Sequence, residues 1–171
     1  MAIISDSSPL IIMVKIGRLG LMRRLYRRVL IPSSVYQEVV IEGRRLRKAG
    51  IGDIEEAIQS EWINVTALTK SQLASAEKYR TIGGIGRGEA EALALARNRR
   101  LPVILDDRHA RELARTLGLR VTGTAAMLLE AYFRKAISKK EFTESLRDLG
   151  TVMWLSPDVV AEILRLAEEV E

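Results

Sequence analysis

The stretch Leu101-Pro102-Val103-Ile104-Leu105-Asp106-Asp107-Arg108-His109-Ala110-Arg111-Glu112-Leu113-Ala114-Arg115-Thr116-Leu117 changes character at its centre. Up to Leu105 it is a short apolar run, the pattern of a strand buried on both faces. Beyond the acid pair, Ala110, Leu113, Ala114 and Leu117 recur at the spacing of one helical face. Asp107 stands where an N-cap belongs. The chain opens in the same order: Ile3-Ile4 runs into Asp6, and Ser8-Pro9 reads as an N-cap with proline at the first helical position, starting a helix over Leu10 to Ile16.

Working outward, further short apolar strands are expected at Val29-Leu30-Ile31, around Trp62-Ile63-Asn64-Val65 and at Leu119-Arg120-Val121. Helices are expected at Leu21 to Tyr26, from Ser33 onward with Val35, Val39 and Val40, at Asp53 to Ser60, and at Glu89 to Arg100. Thr69 with Gln72 forms a capping-box pattern for another. Three more close the chain: Ala125 to Lys135, Ser138 (box partner Glu141) to Leu149, and Ser156 to Glu171. The last carries Val159, Val160, Ile163, Leu164, Ala167 and Val170 along one face. Thr81 to Gly88 reads as a glycine-rich loop forming a flexible rim. Short strands alternating with helices imply an α/β fold whose parallel sheet is covered on both faces. In such sheets function gathers beyond the carboxyl ends of the strands.

The 171 residues at 19.1 kDa fit one domain with a helical extension. Apolar residues at 47% and charged residues at 29% exclude a disordered chain. With no cysteine and a single histidine, His109, disulfides, thiol catalysis, thiolate zinc sites and paired-histidine metal sites are all excluded. Any chemistry must come from carboxylates, hydroxyls or backbone. A net charge of +5, carried mostly by arginine, favours a polyanionic partner, nucleic acid before an acidic membrane surface. No apolar run approaches the roughly 18 residues that a membrane span needs. The start lacks the basic region of an export signal, so a cytoplasmic location is expected.

Three acidic positions fall where the sheet rule points: Asp6, the Asp106-Asp107 pair, and Glu38 in the helix after the second strand. Glu89 joins them by starting a helix straight after the glycine loop, while Glu91 is turned roughly 200° from it and is expected in solvent. Carboxylates converging without histidine or cysteine suit a hard divalent cation, Mg²⁺ or Mn²⁺. Each acid also has a plainer role: an Asx turn at Asp6, a solvated helix position at Glu38, a first-turn acid at Glu89, an N-cap at Asp107. The glycine loop fits no nucleotide fingerprint, because Glu89-Ala90 stands where a P-loop needs Lys-Ser/Thr. Trp62 and Trp154 read as core or interface anchors, and His109 as a helix-surface residue.

Together these segments resemble the PIN-domain family. The carriers are Ser5-Asp6-Ser7-Ser8-Pro9-Leu10-Ile11, Ile31 through Val39, Gly88 through Ala96, and Leu105-Asp106-Asp107-Arg108-His109-Ala110. Gly118 through Thr124 resembles the short last-strand segment of the VapC-type toxin ribonuclease subgroup of archaeal and bacterial PIN proteins. The resemblance spans about residues 1–135, which would form the catalytic domain, with 136–171 as a C-terminal helical extension packed on it. It implies a three-layer α/β/α fold with four or five strands and a Mg²⁺- or Mn²⁺-dependent endoribonuclease of single-stranded RNA. By carry-over the catalytic and metal-holding acids are Asp6, Glu38, Glu89 and Asp107, with Asp106 as an additional metal ligand. In-line attack by an activated water would expel the 3′ oxygen and leave a 5′ phosphate. Ser8 and Thr122 would orient waters, and Arg87, Arg108, Arg111, Arg44 and Arg45 would guide RNA phosphates. The toxin subgroup further implies an antitoxin protein and a homodimer as partners. The competing reading is a catalytically inactive PIN-fold module that binds nucleic acid or protein. A Mg²⁺ phosphomonoesterase is a third, but Asp6 is followed by Ser7-Ser8 rather than by a second nucleophile-pair aspartate.

Overall fold

The structure, a computed structural model, describes residues 1–169. Five short strands form one parallel sheet: β1 (Ala2–Ser5), β2 (Arg28–Pro32), β3 (Ile63–Thr66), β4 (Val103–Ile104) and β5 (Val121–Thr122). Their order across the sheet is β3-β2-β1-β4-β5. Register pairs Ile3 with Val29, Ile4 with Val103, and Ile104 with Thr122. The apolar runs are strands because both faces are covered. Ile3, Val29, Ile31 and Ile104 enter one hydrophobic cluster, while Ile4, Val103 and Leu105 enter the other.

The second cluster lies under α6 (Lys70–Gly83), α7 (Arg87–Arg99) and α8 (Arg108–Thr116). The first is covered by α1 (Ser7–Lys15), α2 (Leu19–Leu25), α5 (Ile51–Gln59), α9 (Thr124–Phe133), α10 (Lys139–Val152) and α11 (Pro157–Glu168). This is the expected α/β/α sandwich. Phe142, Leu146 and Leu149 of α10 and Ile163 and Ala167 of α11 belong to the same cluster as the strand residues. Tyr132 stacks on Phe142 with ring centroids 5.1 Å apart. Val170, the last residue of the expected closing face, lies outside the described residues. No described helix is long and apolar enough to cross a membrane.

Both capping boxes form. Thr69 N–H donates to Gln72 Oε1 (2.7 Å), and Ser138 N–H to Glu141 Oε2 (2.8 Å). Three boundaries differ from the sequence reading. The first helix begins at Ser7, with Asp6 rather than Ser8 in the N-cap position. The expected loop over 81–88 shrinks to Gly84-Ile85-Gly86, because α6 runs on to Gly83 and α7 starts at Arg87. The helix after β2 is α3 (Ser33–Tyr36) and α4 (Glu42–Arg45) joined by a π-helical segment, Gln37–Ile41. Glu38 lies in that wider turn. Single π turns inside helices are frequent at functional sites.

Candidate metal centre

The strand order reverses at β1 and β4, since the chain reaches β2 and β3 on one side of β1 and β4 and β5 on the other. Such a switch point opens a crevice beyond the carboxyl ends of the two central strands. Asp6 follows β1 directly, and Asp106 lies two residues past β4. Continuing the register of Ile4 with Val103 sets Asp6 alongside Leu105, next to Asp106.

Asp6 is only 2% exposed. It occupies the N-cap position of α1, yet its side chain makes no capping hydrogen bond, and its Oδ1 has no partner among the described residues. The Asx-turn reading therefore fails. Burial, and then the charges of Asp106, Glu89 and Glu38, push this carboxyl well above the usual carboxylate range. A buried carboxylate oxygen without a donor is costly unless something outside the chain satisfies it.

The surrounding acids are held in place. Both oxygens of Asp106 are gripped by Thr124: the backbone N–H donates to Oδ1 (2.8 Å) and Oγ1–H to Oδ2 (2.6 Å). The register that pairs Ile104 with Thr122 explains this, because two residues further on it sets Asp106 beside Thr124. Arg111 Nη1 donates to the Asp106 backbone carbonyl. Asp107 caps α8, its Oδ1 accepting from Ala110 N–H (2.8 Å). Glu89 Oε2 accepts from Gly86 N–H at the start of α7 (2.5 Å), while its Oε1 makes no hydrogen bond among the described residues. Burial raises the Glu89 carboxyl against that backbone bond, and Asp107 and Glu38 raise it further. Glu38 Oε2 accepts from Ser7 Oγ, which ties the π turn to the first turn of α1.

Two glycines back these acids. A Cβ on Gly88 would lie 3.3 Å from Glu38 Oε2 and 3.3 Å from Val35 Cγ2. One on Gly123 would lie 3.3 Å from Asp106 Oδ1. Each glycine lets backbone approach a carboxylate closely.

The charges of Asp106, Glu89 and Glu38 thus act on Asp6, and those of Asp107 and Glu38 on Glu89. Among the described residues no group of three or more acidic or histidine side chains is drawn tightly enough to hold an ion as the side chains stand. Several carboxylate oxygens are instead engaged by Ser7, Gly86, Ala110 and Thr124. The donor set still fits a hard divalent cation: every group is a carboxylate, and the innermost has an orphaned buried oxygen.

The remaining sequence candidates are placed as follows. Ser8 is exposed, and its neighbour Ser7 makes the acid contact. Thr122 Oγ1 reaches only the Gly123 carbonyl (3.4 Å), and Thr124 grips Asp106. Arg44 pairs with Glu55, Arg45 with Glu42 (2.7 Å) and Arg108 with Glu112 (2.9 Å). Glu91 corrects the sequence reading. It is 4% exposed, not solvated, and its Oε1 accepts from Arg87 Nε (2.7 Å). Burial extends almost all round α7, from Ala90 to Ala96. The unbroken run of alanine and leucine was the available signal for this. The roles of Thr124 and Ser7 are not legible in sequence, because they depend on strand register and on a contact across 31 residues.

A family model described as PIN domain matches residues 2–169, nearly the whole chain. The chain belongs to the PIN-domain family. PIN domains are typically metal-dependent nucleases, so nuclease-type chemistry, a divalent metal and a nucleic-acid partner come with membership. The acids of this PIN domain stand at the one crevice its sheet topology provides. No curated protein matches the chain.

Proposed function

We propose that this PIN domain is a Mg²⁺- or Mn²⁺-dependent endoribonuclease of single-stranded RNA. Asp6, Glu38, Glu89 and Asp107 are its catalytic and metal-holding carboxylates, and Asp106 is a fifth acid at the same site. The observation that carries the reading is Asp6 Oδ1, buried and without a donor among other acids. A bound divalent ion supplies a water of lowered pKa and neutralises charge at the scissile phosphate. Asp6 offers the unengaged oxygen, Thr124 fixes the Asp106 carboxylate, and Ser7 orients Glu38. Glu89 keeps Oε2 on the helix start and leaves Oε1 without a hydrogen bond among the described residues.

Residues 1–135 are the catalytic unit in this reading, with 136–171 as a helical extension on the same core. The resemblance of residues 118–124 to the toxin subgroup extends it to a cytoplasmic toxin of a toxin–antitoxin pair, acting as a homodimer restrained by an antitoxin protein. Arg87, Arg108 and Arg111 flank the acids and guide phosphates. Arg44 and Arg45 are held in exposed ion pairs that can exchange partners at little cost.

The test is cleavage of single-stranded RNA with Mn²⁺, compared with Asp6→Asn and with chelator. Cleavage that vanishes in both supports the reading. Undiminished cleavage by Asp6→Asn removes Asp6 from the mechanism. RNA binding with no cleavage under any metal condition selects the inactive binding module instead.

A further inference from the structure

Trp154 is 82% exposed, the most of any large apolar side chain described, whereas the only other tryptophan, Trp62, is 8% exposed in the core. The indole stands in the short connection between α10 and α11. It does not face open surface alone. It lines a cleft of about 570 Å³ that reaches back to Asp106, Arg108 and Arg111. That size falls within the range of roughly 300–1,000 Å³ usual for ligand sites. Met153 and Val159 add apolar wall beside the indole. Asp158 and Glu162 stand on the α11 side, Glu162 paired with Arg165 (2.8 Å), so the cleft is basic toward α8 and carries the acid of Asp158 toward α11.

We infer that this cleft is a nucleotide subsite, in which an unpaired base of the RNA stacks on Trp154 while its phosphate lies toward Arg108 and Arg111. The inference rests on the ribonuclease reading for the identity of the strand. Three observations point the same way. Asp106 belongs both to the acid site and to the cleft, so the cleft adjoins the scissile position. Arg111 is anchored through Nη1 on the Asp106 carbonyl, and its other N–H groups make no hydrogen bond among the described residues. Among the described residues Arg108 is bound only to exposed Glu112, a pair that a phosphate can displace. The acidic α11 side keeps the backbone off that wall and leaves the apolar surface to the base. Stacking on an aromatic ring tolerates any base, because every base has a π-face.

The experiment uses the whole chain with an eight-nucleotide oligouridylate in chelator, where nothing is cleaved, and follows tryptophan emission together with anisotropy of a labelled strand. Saturable quenching is expected, since buried Trp62 supplies a constant background. Trp154→Phe should lose the quenching and keep the affinity, while Trp154→Ala should weaken binding by about five-fold or more. Asp6→Asn should bind at least as tightly as the wild type. Equal affinity of Trp154→Ala and the wild type would overturn the inference. So would an emission shift that depends on protein concentration without RNA, which would make the indole an interface between copies. Cleavage is read separately: stacking without Mn²⁺-dependent cleavage sinks only the ribonuclease reading, and cleavage without stacking sinks only this one.

Discussion

Replacing Asp6 by asparagine separates a residue kept for its chemistry from one kept for the fold. Asp6 is 2% exposed, its Oδ1 has no donor among the described residues, and three other acids face it. Its folded-state pKa is therefore raised above the unfolded value of about 3.9. Between those two values the folded chain holds more protons than the unfolded one, so stability falls as pH rises through the window. Below the window both states are protonated and nothing is lost. An asparagine at this position carries no charge to bury. An unsatisfied buried polar group costs about 1–3 kcal/mol, and more when charged. The asparagine keeps an unsatisfied oxygen but not the charge, whose added burial cost is at least of that order. In chelator at neutral pH, Asp6→Asn should thus be more stable than the wild type by an amount on that order. At about 2–4 °C per kcal/mol for a chain of this size, the midpoint rises by roughly 2–12 °C. The gap should close as pH falls toward about 4 and reverse on adding Mn²⁺, since ligand at about 1,000 times Kd stabilises the wild type by about 4.1 kcal/mol. Thermal unfolding from about pH 4 to 8, with chelator and then with Mn²⁺, reads all three effects. A variant less stable than the wild type at every pH in chelator would refute the reasoning, because Asp6 would then be an ordinary structural aspartate.

Asp107→Ser should keep the α8 cap, since serine ranks with aspartate at that position, and so leave stability within about 0.5 kcal/mol while cleavage falls; unchanged cleavage would reduce Asp107 to a cap. Thr124→Val removes the hydroxyl that grips Asp106, and should cost about 1–3 kcal/mol in urea unfolding and about ten-fold or more in Mn²⁺ affinity by calorimetry. Glu89→Gln should abolish cleavage whereas Glu91→Gln, which touches only the Arg87 pair, should leave rates near wild type. Gly88→Ala crowds Glu38 and Val35 in the first turn of α7, where the helix-propensity gain is small, so cleavage should drop while the melting point barely moves.

The strands were legible because each is a brief apolar run that ends in a turn signal or an acid, and a parallel sheet buried on both faces needs nothing subtler. Asp6 and the Asp106-Asp107 pair were legible for the same reason, since strand ends fix where the crevice opens. Whether Asp106 or Asp107 faces Asp6 depends on a one-residue offset that only the sheet register and the α8 cap resolve. Ser8-Pro9 looked like the helix start because proline favours the first turn, but the helix opens earlier and proline fits inside that turn. The glycine run suggested a long loop, yet Gly83 is helical and only three residues join the two helices. A single buried face puts Glu91 in solvent, whereas α7 is wedged between the sheet and α6 and α8. The π segment left no compositional trace.

That segment has a consequence for how the chain tolerates length changes. An α-helix advances about 100° per residue, so excising one residue from 39–41 would rewind the turn and swing Arg44 and Arg45 to a new bearing relative to Glu38. The compass direction in which this protein offers those cations is thus set by a count of one. Indels here, even neutral to the core, would re-aim a whole flank of the molecule.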